Sequence, residues 1–436
     1  MARQDSQHPP EVPMTTHAEA LDRNARIQAI NPVVLEALSP LGHRAFFPKG
    51  IPYQAGQAKA CAINATIGQI TDGAGNPIPL APMAEKLAGL NPKDAFLYAP
   101  IAGREAARKI WHAKLVKEDA RMEKVGLPVA GAGVCHALNM ASELFFAPGD
   151  TLILPDLYWD NYEQVFQVRL QGDFMPFPFY GADGGFNLEG LKEKLASVPG
   201  KVHVLLNFPS NPNGYSPTPE ELVAIGNVLV EAAAIRPVVV YCDDAYHGLV
   251  FEPSATTKSL FFELIDRSPN LIPLKCDGAT KELSFFGGRV SFLHFGVDKA
   301  IAEILVDKCM GLIRSGLGGT VGLSQHLVEL ELQDERHEAE FERLRLILAG
   351  RYQRLKAALA KPSPYWTVYP FNAGCFCLLK LRDGLDADQI RQQLIAEEGV
   401  GVVSQQGNCI RIAFCSIKEE SVVPLIEALE RVCAKH

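Results

Sequence analysis

No stretch of the chain approaches the ~18 consecutive apolar residues that a membrane-spanning helix needs, which excludes a helical membrane protein. The start, Met1 to Pro13, is polar and proline-rich with no apolar h-region, so no secretory leader is expected. C-x-x-C pairs are missing too. The 10 cysteines are scattered, several inside apolar runs such as residues 238–242. That pattern excludes a disulfide framework and reads as buried free thiols in a reducing cytoplasm. There is no excess of positive charge: 42 Lys+Arg stand against 50 Asp+Glu, a net charge of -8. Nucleic-acid binding needs a basic footprint and is not expected. No metal site is expected, and there is no internal repeat.

What is present is a globular composition, 47% hydrophobic and 21% charged over 436 residues. That length implies two or three domains. Residues 1–60 are rich in Pro, Gln and Ala and read as an N-terminal arm with a helix or two. From about 100 to 295, helical stretches (104–117, 136–146) alternate with short apolar runs. The runs are Thr151–Pro155, Val202–Asn207, Val238–Asp243, 271–275 and 290–295. This alternation predicts an α/β fold with a mainly parallel sheet covered on both faces. Thr218-Pro219-Glu220-Glu221 reads as a capping box. From about 300 to 360 the chain reads as one or two long helices, and the dense mixed charge at helical spacing over 329–356 suits a long amphipathic connector. Strands at 366–371, 375–380, 400–403 and 409–414, a helix over 386–398 and a last helix capped by Ser416 predict a compact α+β C-terminal unit.

Three groups of polar residues sit at the C-terminal ends of expected strands, where open α/β sheets bind ligands. Asn211 stands in the stiff loop Asn207-Phe208-Pro209-Ser210-Asn211-Pro212-Asn213-Gly214, where a side-chain amide can donate to an anionic oxygen; an ordinary turn is the alternative. Asp243 ends an apolar strand, where an acid normally needs a positive partner, and Tyr246 follows it. An N-cap and a packing ring are the bland alternative there. Lys281 lies among small residues in Asp277-Gly278-Ala279-Thr280-Lys281, followed by Gly287-Gly288-Arg289. A lysine in a partly dry, positive site can act as nucleophile and base, and an arginine fork suits phosphate.

Taken together, Asn211-Pro212-x-Gly214, Asp243-x-Ala245-Tyr246 and Lys281-x(7)-Arg289 resemble the class I/II aminotransferases, which are pyridoxal-phosphate enzymes of fold type I. The resemblance runs from about residue 60 to the C-terminus and is nearest the aspartate/aromatic subgroup. It implies a large domain (61–325) with a seven-stranded sheet, a small C-terminal domain (326–436) and an arm (1–60) packing on the small domain or a partner subunit. It implies pyridoxal 5'-phosphate as cofactor, held as a Schiff base by Lys281, which would also move the substrate Cα proton. Asp243 would keep the pyridine nitrogen protonated, Tyr246 and Asn211 would bond the phenolic oxygen, and Arg289 would bind the phosphate.

Further positions follow by the same resemblance. Gly131, Ala132, Gly133 and Val134 match a phosphate cup at a helix N-terminus. Trp159, with Tyr158 as the alternative, would stack on the cofactor ring. Tyr98 would reach the phosphate of the neighbouring subunit, which implies a homodimer with shared sites. Arg411 would bind the substrate carboxylate, and Gly68 lies in a substrate-contact strand. Two departures stand out: Gly278 replaces a phosphate-binding serine, with Thr280 as a substitute. Arg314, near the family's distal-carboxylate reader, lacks the usual flanking residues. The implied activity is transfer of the α-amino group from an aromatic or acidic amino acid to a 2-oxo acid in the cytoplasm. The rivals are a lyase or decarboxylase on the same scaffold and, remotely, a non-enzymatic regulator.

Overall fold

The computed structural model describes residues 17–436; residues 1–16, the beginning of the expected arm, lie outside the described residues. The described part of the arm carries four helices where one or two were expected, two of them short (Pro32–Glu36 and Pro40–Arg44); the others are α1 (Ala18–Ile30) and α2 (Ile51–Gln57), the latter with Pro52 in its first turn, where the missing N–H costs nothing. α2 is fastened to the C-terminal part of the chain. Gln54 Nε2 donates to the Ser404 carbonyl at 3.1 Å, and Gln54 Oε1 accepts from the Ser404 N–H at 2.8 Å. Strand β1 (Ile63–Asn64) follows.

The large unit is then built in chain order. It comprises α3 (Glu105–Glu118), β2 (Val129–Gly131), α4 (Val134–Phe145), β3 (Thr151–Pro155), β4 (Asp173–Phe177), β5 (Val202–Asn207), α5 (Pro219–Ala233), β6 (Val238–Asp243), β7 (Leu271–Asp277), α6 (Ala279–Glu282) and β8 (Ser291–Phe295). The strands form one seven-stranded sheet in the order β2-β8-β7-β6-β5-β3-β4, in which β8 alone runs against the rest. β5 and β6 are buried along their whole lengths. Alternation divides their side chains between two faces: Val238, Val240 and Cys242 pack in one apolar cluster, Val239 and Tyr241 in the other. Helices must therefore cover both faces, as the near-continuous apolar runs implied. β4 went unread in the sequence because Pro176 interrupts it; it is an edge strand, where a missing donor is tolerated.

Helices α7 (Lys299–Gly316), α8 (Gly322–Gln333) and α9 (His337–Ala358) come next. These are three helices where one or two were expected, and the charged run over 329–356 is divided between α8 and α9, where Asp334 accepts from Lys86 Nζ at 2.7 Å and from the Arg336 N–H at 3.0 Å. α9 serves both apolar cores. Leu344 and Leu348 pack in the large cluster, while Tyr352 and Leu355 pack in the C-terminal one.

The C-terminal unit holds β9 (Trp366–Val368), β10 (Phe376–Leu381), α10 (Ala387–Gln393), β11 (Val400–Gly401), β12 (Val403–Gln405), β13 (Cys409–Ala413) and α11 (Val422–Cys433). Four strands form an antiparallel sheet in the order β12-β13-β10-β9, and β1 pairs in parallel with β11. Two expectations are corrected here. The strand 400–403 is two short strands in different sheets. Ser416 does not cap the last helix, which starts at Val422 after a short turn; its hydroxyl donates instead to the Asn64 carbonyl at 2.9 Å.

Candidate active site

β5 and β6 end side by side, with Asn207 and Asp243 as register partners. Asn207 Nδ2 donates to the Asp243 carbonyl at 2.7 Å, and Asn207 Oδ1 accepts from the Asn211 N–H at 2.7 Å. This locks the loop that carries Asn211. The Asp243 side chain is 2% exposed. Its Oδ2 accepts from the Tyr162 hydroxyl at 2.6 Å and its Oδ1 from the Ala245 N–H at 3.1 Å. Burial pushes its carboxyl up to about 6, with those two hydrogen bonds opposing. A buried acid held this way is suited to pairing with a cation.

Arg411 comes from β13, on the other unit, and is almost wholly buried. Its Nη1 donates to Asn211 Oδ1 at 2.9 Å and its Nη2 to the Thr66 carbonyl at 2.7 Å. Its Nε is buried and has no partner. The guanidinium lies 4.3 Å from the Phe376 ring centroid. With Asn211 Oδ1 occupied by the arginine, the Asn211 amide presents its N–H groups to the cavity.

Lys281 sits in α6, just beyond β7. Its Nζ lies 4.9 Å from the Phe286 ring centroid and 5.6 Å from that of Tyr246. Burial lowers its basicity, and Arg289 adds to the effect. Gly278 has a steric cause: a Cβ there would collide with the Val290 carbonyl, so no serine fits. Thr280 supplies a hydroxyl instead, buried and without a partner. Gly133, at φ +85, precedes α4, and a Cβ on it would collide with the Arg289 guanidinium. Arg289 therefore lies directly against the N-terminus of α4, whose free amides and dipole favour an anion.

These groups open onto one cavity of about 280 Å³ whose wall includes Lys281, Asp243, Tyr246, Asn211, Arg289 and Arg411. Thr280, Trp159, Gly68 and Val134 line it as well. Tyr158 does not; its hydroxyl donates to Glu163 at 2.9 Å, so of the two aromatics the structure brings Trp159 to the cavity. Five expected residues are not in the cavity wall: Gly133 lies against Arg289, and the other four lie elsewhere. Gly131 is held in the sheet opposite Ser291, and the Ala132 N–H is taken by His136 Nδ1 at 3.1 Å. Arg314 is exposed near the end of α7, donating to the Gly318 carbonyl at 3.1 Å. Tyr98 is fully exposed. Tyr162 was missed in the sequence, where a tyrosine in an aromatic-rich segment reads as core; its place three residues after Trp159 is the one local signal.

A half-buried amine, a buried acid and two guanidiniums around one cavity at the strand ends make a site suited to an anionic ligand. The family model described as "Aminotransferase class I and II" matches residues 62–429, and the chain belongs to that family. It is 26% identical over 317 residues to an aspartate/prephenate aminotransferase of Cereibacter sphaeroides, covering 70% of this chain and 75% of that one. Among solved structures, an aminotransferase of Anaerococcus prevotii superposes with a TM-score of 0.75 at 22% identity, covering 89% of this chain and 97% of that one. The cytoplasmic aspartate aminotransferase of Saccharomyces cerevisiae gives 0.76 at 18%, covering 93% and 100%. These likenesses show the fold, type I of the pyridoxal-phosphate enzymes. The enzyme is an amino-acid aminotransferase that uses pyridoxal 5'-phosphate.

The chain's own groups fit that cofactor. Asp243 is a buried acid without a cation, Thr280 Oγ1 is a buried hydroxyl without a partner, and Arg289 against α4 forms an anion cradle. No helix among the described residues is long and apolar enough to cross a membrane.

Proposed function

We propose that the enzyme takes an aromatic amino acid as its amino donor and passes the amine to a 2-oxo acid. One observation carries this choice over an acidic donor: the cavity wall includes the apolar Ile51, Pro52, Ile67 and Phe376, while Arg314 lies outside it. When bound, the cofactor supplies an electron sink that weakens the bonds at the substrate Cα. The rest of the chemistry falls to side chains. Lys281, its basicity lowered by burial, would hold the cofactor through Nζ and, once the substrate amine has taken its place, would be free to carry a proton from the substrate Cα to the cofactor carbon two atoms away. Asp243, oriented by Tyr162, would keep a proton on the ring nitrogen. Tyr246 and the Asn211 amide would bond the phenolic oxygen, and Trp159 would lie against the ring. Arg289, Thr280, Gly133 and Val134 would hold the phosphate. Arg411 binds the α-carboxylate with a planar fork matched to it, and Gly68 leaves room for the substrate beside Phe376.

The same reading places the enzyme in the cytoplasm as a homodimer. Phe96, Leu97 and Tyr98 are strongly exposed in a row, which suits a second copy of this chain whose phosphate Tyr98 would reach. We divide the chain into the arm to 60, a large unit from 61 to 325 and a small unit from 326, with α9 shared between the two cores.

A panel of amino donors with a fixed 2-oxo acid tests the reading. Phenylalanine or tyrosine should outperform aspartate, and Arg314→Ala should leave the aromatic rates unchanged. Loss of aspartate turnover in that variant, with aspartate the better wild-type donor, would show that Arg314 of a second copy reads an acidic side chain. Release of keto acid and ammonia without any acceptor would make the enzyme a lyase.

A further inference from the structure

Asp243, Tyr246 and Lys281 line the cavity, and each is followed in sequence by a titratable residue that does not: Asp244, His247 and Glu282. All three followers are buried. Asp244 Oδ2 accepts from Lys275 Nζ at 2.5 Å and from the Ser259 hydroxyl at 2.6 Å. Lys275, 0% exposed, also stands 3.3 Å from Asp277 Oδ2. His247 Nε2 lies 2.7 Å from Glu118 Oε2. Lys114 Nζ lies 2.5 Å from Glu282 and 3.1 Å from Glu118. The Trp111 indole N–H completes the set, donating to Asp277 at 3.1 Å.

Trp111, Lys114 and Glu118 are three and four residues apart on α3, so they form one face of a single helix. That face meets Glu282 and His247 directly, through Lys114 and Glu118, and reaches Asp244 only by way of Trp111, Asp277 and Lys275. The groups are also mutually charged. Burial works against Glu118 as an anion, yet His247, Lys114 and Lys275 hold it well below the usual carboxylate range. Burial likewise works against Lys114 as a cation, and Glu282 and Glu118 outweigh it. Buried ion pairs are poor sources of net stability, since apolar residues of similar shape do as well. Their distinctive effect is geometric: each partner has one satisfactory place.

We propose that this network positions the catalytic residues: α3 sets Lys281 and Tyr246 by holding, through Lys114 and Glu118, the residues that follow them, Glu282 and His247, and is tied to Asp244 behind Asp243 through Trp111, Asp277 and Lys275. Lys114 is the positioning residue for Lys281, acting through Glu282. Lys275 is the positioning residue for Asp243, acting through Asp244. The inference rests on the roles assigned above to the three cavity residues.

The test uses the full-length enzyme and pyridoxal 5'-phosphate. Lys114→Met should weaken cofactor binding by roughly tenfold, the order expected when a supporting partner of a bound group is removed. It should also change the visible absorption spectrum of the loaded protein, and Lys114→Arg should restore both. Glu282→Gln, which keeps the shape and removes the charge, should act in the same direction and serves where Lys114→Met does not fold. A Lys114→Met protein that melts at lower temperature but keeps wild-type affinity and spectrum overturns the proposal, as does a Glu282→Gln protein unchanged in both. Borohydride trapping of the wild type separates the two layers of argument. Trapping at Lys281 with unchanged variants removes the network role alone, whereas trapping elsewhere removes the assigned roles themselves.

Discussion

Asp243 shows how one residue couples stability to function. Its ordinary value near 3.8 is raised to about 6 in the folded chain by burial. A raised carboxyl binds its proton more tightly when folded, so its contribution to stability is complete below about 4 and is lost as pH rises through about 6. The loss is on the order of 3 kcal/mol at most. Cofactor-free Asp243→Asn should therefore melt higher than cofactor-free wild type well above that range and match it near the bottom of it, while binding pyridoxal 5'-phosphate less well. Equal melting at every pH would show that the buried carboxylate carries no such cost. The residue itself was legible in the sequence, since an acid closing a run of apolar residues has few inexpensive uses. Its partner Tyr162 was not, because its contact spans 81 positions and no local pattern marks it. The same holds for Arg411 and Asn211, which are 200 residues apart.

At the scale of elements, the sequence signals were strongest where a local rule acts alone. The capping box at α5 is present as read: Thr218 Oγ1 accepts from the Glu221 N–H at 3.2 Å, and Glu221 accepts from the Thr218 N–H at 2.8 Å. Glu221 also accepts from the Tyr215 hydroxyl at 2.7 Å and the Phe186 N–H at 2.8 Å. Thr218→Ala should then cost about 1 kcal/mol, the usual value of a cap. Glu221→Ala should cost clearly more, because two further donors lose their acceptor. Urea unfolding of the two variants decides it; equal midpoints would mean that the Tyr215 and Phe186 bonds add nothing. Rules that compete were harder to read. Pro176 hid β4, and the charged run over 329–356 concealed the break at Asp334. Asp244, Glu282 and Lys114 look like solvated charges in sequence, and only the approach of α3 to Asp277 and Glu282 brings them into one set.

For the molecule as a whole, the net charge of -8 says nothing about the cavity, where Lys281, Arg289 and Arg411 gather. A locally cationic cleft suits an anionic cofactor and a carboxylate substrate whatever the overall sign. That cleft is assembled from distant parts. The arm contributes Ile51, the large unit contributes Lys281 and Asp243, and the C-terminal unit contributes Arg411. The alternation of strands and helices made the large sheet legible, but the joining of the parts rests on side-chain contacts such as Gln54 with Ser404. All of it converges on one amine. Borohydride reduction of the enzyme loaded with pyridoxal 5'-phosphate, followed by peptide mapping, should place the label on Lys281 and leave Lys281→Ala unlabelled with its cofactor absorbance lost. A label on another lysine, or a Lys281→Ala protein that still traps the cofactor covalently, would contradict the account.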